Sequence, residues 1–250
     1  MKNQEQKGNN YYTEQTQTQE NKIAVIIPCY NVENRLKKTV SPLIQFPVDV
    51  YIVDDGSTDN CIDSIVSLPV SILSFPENRG KGFAIIEGLE NVLKNPRYEA
   101  FCFMDADGQH DPQLLPLFLE AWKNEKKDLI IGQRDFKSEK VPFPSKLGNY
   151  LMRYILYFLA GCPLSDTQCG FRLYSRSFAE EIVARVKPGR YETETWILLL
   201  ALQRKRSIGI IPIPSIYEEK NRSSHFRKIY DSLRILKTMF SISHKLFRQK

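Results

Sequence analysis

The stretch FMDADGQHD, residues 103–111, places three aspartates within seven positions directly behind an apolar run. Asp105 and Asp107 are separated only by Ala106. Carboxylates held that close repel unless something neutralises them, and hard oxygen donors of this kind, with Gln109 beside them, suit Mg²⁺ or Mn²⁺. Magnesium takes one or two carboxylates and completes its shell with water and substrate phosphates, so the pattern suits a phosphorylated substrate. A plainer use of the same residues is turn formation and helix capping, with Asp111 before Pro112 the obvious cap. The sequence has no G-x-x-x-x-G-K-[ST] phosphate loop, no dinucleotide fingerprint after Gly80-Lys81-Gly82 and no H-E-x-x-H motif. With His110, His225 and His244 as its only histidines, it is a poor candidate for a Ser/His/Asp hydrolase.

The elements that must position these residues are legible in the hydrophobic pattern. Short continuous apolar runs at 23–27, 50–53, 70–73, 100–104 and 128–131 predict buried strands. Helix-like stretches at 33–44, 59–67, 81–93 and 112–122 alternate with them. That alternation predicts an α/β fold with a mainly parallel sheet covered on both faces. Such sheets bind ligands where the carboxyl ends of the strands open into loops. Here those ends carry Tyr30 and Asn31, Asp54 and Asp55, Asp105 and Asp107, and Arg134, so polar residues collect at one rim.

The motifs form an ordered set: Pro28-Cys-Tyr-Asn31, Val53-Asp-Asp-Gly-Ser-Thr-Asp59, Asn78-Arg-Gly-Lys-Gly82, Phe103-Met-Asp-Ala-Asp-Gly-Gln109, Ile131-Gly-Gln-Arg134 and Cys169-Gly-Phe-Arg172. In this order and spacing the chain, from about residue 23 to 234, resembles the inverting family-2 glycosyltransferases of the GT-A fold. Within them it is most similar to the polyprenyl-phosphate branch, the dolichyl-phosphate mannose and glucose synthases and their bacterial relatives. The resemblance implies a Rossmann-like sheet and transfer of a hexose from a UDP- or GDP-linked donor to a polyprenyl phosphate. It implies that Pro28, Tyr30, Asn31, Asp54 and Asp55 hold base and ribose, with Lys81 near the diphosphate. Asp105 and Ala106 would lie against the nucleotide, Asp105, Asp107 and Gln109 would serve the metal, and Arg222 and His225 would belong to a loop closing over the donor. Arg172 would serve the acceptor or diphosphate side. Glu194, in Tyr191-Glu-Thr-Glu194, would orient the sugar or act as base toward a hydroxyl acceptor; as a first-turn glutamate it equally suits a helix dipole.

Charge and chemistry bear on the acceptor independently. A sugar hydroxyl needs a general base, whereas a phosphate monoester, with a second pKa of about 6, arrives largely as a dianion. It needs cations to position it, and Arg134, Lys146, Arg172 and Arg222 offer them. The expected reaction is in-line displacement at the anomeric carbon with inversion, with Asp107, Arg134 and Glu194 as the catalytic candidates. Residues 220–250 hold nine Lys/Arg and one acid, a net +8 in a chain whose total is +6. Such a tail faces an anionic partner.

Residues 1–22 read as a disordered polar lead without the apolar core of a secretory signal. Residues 23–228 read as the transferase domain, and 229–250 as a basic amphipathic helix that lies on a membrane or docks on the body. Residues 150–160 are apolar but too short to span a bilayer, which takes about 20 residues. Five cysteines without CxxC spacing suggest neither a zinc site nor a disulfide framework. The expected location is therefore cytoplasmic, peripheral on the inner face of the membrane. Competing readings are transfer to a glycan or protein hydroxyl, a catalytically silent nucleotide-sugar sensor, and a nucleic-acid binder. The last is disfavoured because aromatic residues do not interleave with the basic ones.

Overall fold

The computed structural model describes residues 22–134, 150, 153–154, 157–158, 164, 166–216, 234–235 and 237. The five apolar runs all become strands: β1 (Ile23–Cys29), β2 (Asp49–Asp54), β3 (Ser71–Ser74), β4 (Ala100–Phe103) and β5 (Leu129–Arg134). Every residue of β1 and β4 is buried, which is why they read as unbroken apolar runs instead of alternating ones. Two further strands, β6 (Arg172–Ser175) and β7 (Ile208–Ile213), complete a seven-stranded sheet of order β3-β2-β1-β4-β6-β5-β7. Strand β6 runs antiparallel between β4 and β5, and the other pairings are parallel.

Between the strands run α1 (Arg35–Val40), α2 (Lys81–Leu93), α3 (Leu115–Glu125), α4 (Arg176–Arg185) and α5 (Glu192–Gln203). Helix α2 buries Ala84, Ile85, Ile86, Leu89 and Val92, the 3.6-residue stripe expected of a helix lying on a sheet. The helix-like stretch at 33–44 is divided: Pro42 lies in a 3-10 turn, Ser41–Gln45, that ends α1. The helix expected at 59–67 is not formed. Asn60 adopts left-handed backbone angles (φ 56°), and only a 3-10 turn, Cys61–Ser64, follows it.

Register brings the chemistry to one edge. Cys29 pairs with Asp54, so β1 and β2 release their chains side by side. Phe103 pairs with Ile26 on one side and with Arg172 on the other. Because β6 is antiparallel, it begins where β4 ends, and residues 166–171 lie on the rim beside Asp105. No helix among the described residues is long and apolar enough to cross a membrane.

Candidate active site

The loops after β1 and β2 are tied together. The Asn31 amide donates to Ser57 Oγ (3.0 Å), and Asn31 Oδ1 accepts the Thr58 N–H (2.7 Å). Asp54, nearly buried, accepts the Ser57 N–H at 2.9 Å. Asp55 is 2% exposed, and its carboxylate accepts from Arg79 N–H, Gly80 N–H and Asn78 Nδ2, each at 2.8 Å. Burial raises its pKa, and the Arg79 and Gly80 amides offset part of that rise. The expected ribose ligand is thus committed to folding the 78–80 loop. That loop turns through Gly80 at φ 112°, a conformation that favours glycine, and delivers Lys81 as the first residue of α2. Pro28 is buried inside β1 and Ala106 is 2% exposed, so both are wall residues, while Tyr30 is half-buried at the rim.

At the centre, Lys81 Nζ lies 2.7 Å from Asp105 Oδ1 and 2.8 Å from Glu194 Oε2. Glu194 stands in the first turn of α5, 113 residues from Lys81 in sequence. Burial works against charge on both members of the Lys81–Asp105 pair, but mutual attraction wins. Lys81, drawn by Asp105 and Glu194, stays firmly protonated, and Asp105, beside Lys81 and His110, is held well below the usual carboxylate range. His110 Nε2 lies 3.9 Å from Asp105 Oδ2, and its ring leans on Phe171. Gly170 packs on the same carboxylate so closely that a Cβ there would overlap it. Asp107 behaves oppositely: burial, and then the negative charge of Asp105, push its pKa up. Its Oδ1 accepts the Gln109 N–H at 3.0 Å.

The donor chemistry fits a hard dication. Two aspartates and Gln109 share one short loop, Asp107 is destabilised as an anion, and a cation at Asp107 and Gln109, with Asp105 alongside, would relieve it. Among the described residues no group of three or more His, Cys, Asp or Glu is arranged to hold a metal, so further donors would have to come from substrate and water.

The basic candidates divide. Arg134, at the end of β5, makes a two-pronged ion pair with Asp166 (Nε to Oδ2 2.7 Å, Nη2 to Oδ1 3.1 Å), whose side chain is fully buried. Arg172 requires a correction. Expected at the acceptor phosphate, it is 0% exposed and donates to three backbone carbonyls: Cys169 (2.7 Å), Glu194 (2.9 Å) and Thr167 (3.0 Å). It ties the 167–169 loop to the first turn of α5 and is closed to an external phosphate. Lys146, Arg222 and His225 lie outside the described residues. The sequence reading missed Asp166 and His110 as partners of site residues. His110 stood inside the 103–111 stretch and Asp166 three residues before the Cys169-Gly-Phe-Arg172 motif, but only the fold shows what they touch.

A mainly parallel α/β sheet whose carboxyl rim gathers an Asp-x-Asp loop, a lysine at a helix start and a tethered arginine defines the GT-A class of glycosyltransferase. Solved structures support that fold. Glucosyl-3-phosphoglycerate synthase from Mycobacterium tuberculosis, in complex with Mn²⁺, UDP and phosphoglyceric acid, superimposes with a TM-score of 0.68 at 20% identity, covering 89% of this chain and 78% of that one. The Glycosyl transferase family 2 model matches residues 24–183, and the chain belongs to that family. Among its relatives, the UDP-N-acetylglucosamine–dolichyl-phosphate N-acetylglucosaminyltransferase of Methanococcus voltae is 32% identical over 220 residues, 79% of this chain and 86% of the relative. The dolichyl-phosphate β-glucosyltransferase of Saccharomyces cerevisiae is 29% identical over 223 residues, 76% of this chain and 66% of the relative.

Proposed function

We propose that the chain transfers a sugar from a nucleotide-sugar to a polyprenyl phosphate at a membrane surface, with inversion. One observation carries the choice of acceptor. Glu194, the candidate base toward a hydroxyl acceptor, has an oxygen 2.8 Å from the Lys81 ammonium. A general base must reach the proton it takes. An acceptor that arrives as an anion has no proton to lose, and the dolichyl-phosphate acceptors in the relatives' names are of that kind.

In this reading Asp54 and the Asn31–Thr58 bridge shape the base and ribose end, and Asp55 sets Lys81 in place. Asp107 and Gln109 would hold a dication, which would supply positive charge against the departing diphosphate. Lys81 keeps Asp105 and Glu194 from repelling each other and fixes both relative to the sugar. Asp166 orients Arg134 toward the acceptor side, where a guanidinium suits phosphate. The acceptor oxygen attacks the anomeric carbon from the face opposite the diphosphate, and the nucleotide leaves with the bonding electron pair.

An aromatic face supports contact with lipid. Tyr150, Tyr154, Tyr157 and Phe158 are helical and exposed, Phe158 by 79%, and their i, i+4, i+7, i+8 spacing is that of residues sharing one helix face. Tyrosine and phenylalanine in such a row suit the headgroup boundary of a bilayer. The test incubates the purified chain with radiolabelled UDP- and GDP-sugars, Mn²⁺ and liposomes containing polyprenyl phosphate. Label is expected to enter butanol as a lipid-phosphate sugar. Turnover only with hydroxyl acceptors, and none with the lipid, overturns the assignment.

A further inference from the structure

Two described residues of the basic C-terminal stretch, Arg234 and Ile235, meet the body of the protein, and Arg234 does so at the first turn of α5, which also carries Glu194. Arg234, Ile235 and Lys237 are helical; Ile235 is 2% exposed and belongs to the main hydrophobic core. Arg234 Nε lies 3.5 Å from Glu192 Oε1, in the first turn of α5. Glu192 is mostly buried, and its second oxygen, Oε2, is enclosed without a hydrogen-bond partner among the described residues. From Glu192 the contacts continue inward. Its Oε1 abuts Gly189, where an added Cβ would come within 2.6 Å of it. The Gly189 N–H donates to Thr193 Oγ1 at 3.0 Å. The Gly189 and Arg190 carbonyls and Thr193 Oγ1 all press on Gly82, and the Arg190 side chain presses on Gly80. Between those two glycines stands Lys81.

We infer that Arg234 and Ile235 clamp the first turn of α5 and are positioning residues for the Lys81–Glu194 pair. Ile235 anchors this turn in the core, and Arg234 supplies the counter-charge for the mostly buried Glu192 carboxylate. Glu192 then fixes the 189–190 turn against the 80–82 loop, while Glu194, two residues further on, meets Lys81. The described neighbours lead from Arg234 through Glu192, Gly189 and Thr193 to the two glycines that flank Lys81, and coupling along that line is what the variants measure.

The test uses the full chain with Arg234→Ala, Arg234→Lys, Glu192→Gln and the exchanged pair Glu192→Arg/Arg234→Glu. In Arg234→Ala, amide hydrogen exchange is expected to quicken at residues 80–83 and 189–196 and to stay unchanged in β1. The dissociation constant for UDP with Mn²⁺ is expected to rise by about threefold to fivefold, the range open to one partly exposed ion pair. Arg234→Lys and the exchanged pair should restore both readouts, and the Arg234→Ala/Glu192→Gln double variant should be no worse than either single one. Exchange unchanged at 80–83 and 189–196, or single effects that multiply, overturns the clamp. The nucleotide arm rests on the function proposed above, whereas the exchange arm does not. If the wild-type chain binds no nucleoside diphosphate, that function fails, and the exchange pattern alone decides the clamp.

Discussion

Replacing Lys81 by methionine keeps an unbranched chain of similar size and removes one ammonium. That ammonium sits 2.7 Å from Asp105 and 2.8 Å from Glu194, and the three side chains are 17%, 22% and 10% exposed. At an effective dielectric of about 20, each contact represents about 6 kcal/mol of gross attraction. Desolvation cancels much of it, but deleting one partner of a buried pair leaves the other charges uncompensated and typically costs about 3–5 kcal/mol. Here the charges left behind are two carboxylates, with Asp107 as a third neighbour. For a chain of this length each kcal/mol moves the melting temperature by about 2–4 °C, so Lys81→Met is expected to melt roughly 6–20 °C below wild type without metal. Saturating Mn²⁺ with UDP should narrow that gap, because a dication beside Asp105 and Asp107 takes over part of the neutralisation. Turnover should remain suppressed, since Glu194 would still lack its partner. Differential scanning calorimetry with and without Mn²⁺ and UDP reads both effects. A drop below about 2 °C, or a drop that Mn²⁺ leaves untouched, would refute the shared-lysine account.

Three other outcomes are expected. Asp107→Ala should abolish Mn²⁺-dependent UDP binding and turnover while leaving circular dichroism unchanged; normal activity would remove Asp107 from the metal assignment. Arg172→Met strips donors from three buried carbonyls at about 1–3 kcal/mol each, so urea denaturation should show at least about 3 kcal/mol lost, not a selective rise in acceptor KM. The Asp128 carboxyl is held below its ordinary range: burial acts against ionisation, but hydrogen bonds from Ser207 and Ser175 and the Arg206 charge outweigh it. Its contribution is therefore full above the unfolded pKa of about 3.9 and lost as pH falls through the depressed folded value. Urea midpoints of wild type and Asp128→Asn should differ by a constant amount above about pH 5 and converge on acidification.

The limits of sequence reading follow from what local pattern encodes. Strands β1 and β4 were legible as uninterrupted apolar runs buried throughout, β2 and β5 as largely apolar and largely buried ones, and β3, an exposed edge strand, only from Ile72 and Leu73. Strand β6 was not, because Arg172-Leu-Tyr-Ser175 is four residues long, begins with a charge and pairs antiparallel with neighbours far away in the chain. Strand β7 was hidden by Gly209 and Pro212, which an edge strand accepts and a central one resists. The Arg172 expectation failed for a related reason. An arginine behind a rim motif suggests a phosphate, but its place in β6 between Phe103 and Ile131 buries it among carbonyls.

The individual site residues were recognisable by type and order, whereas their pairing was not. Lys81 comes from a helix start after β3, Asp105 from the loop after β4 and Glu194 from the first turn of α5. Only the sheet order brings those three ends together. Pairing changes the chemistry, because Glu194 read alone is a candidate base and Glu194 sharing a lysine with Asp105 is part of a charge-balanced frame. With Asp107 the frame holds three carboxylates and one ammonium, a formal excess of two negative charges that a single dication cancels. The diphosphate brings further negative charge, which a dication shared with the frame balances only in part. Arg134 already answers to Asp166, and among the described residues Arg190, whose Nη1 lies 3.5 Å from Asn78 Oδ1, is a further cation beside the loop that carries Lys81.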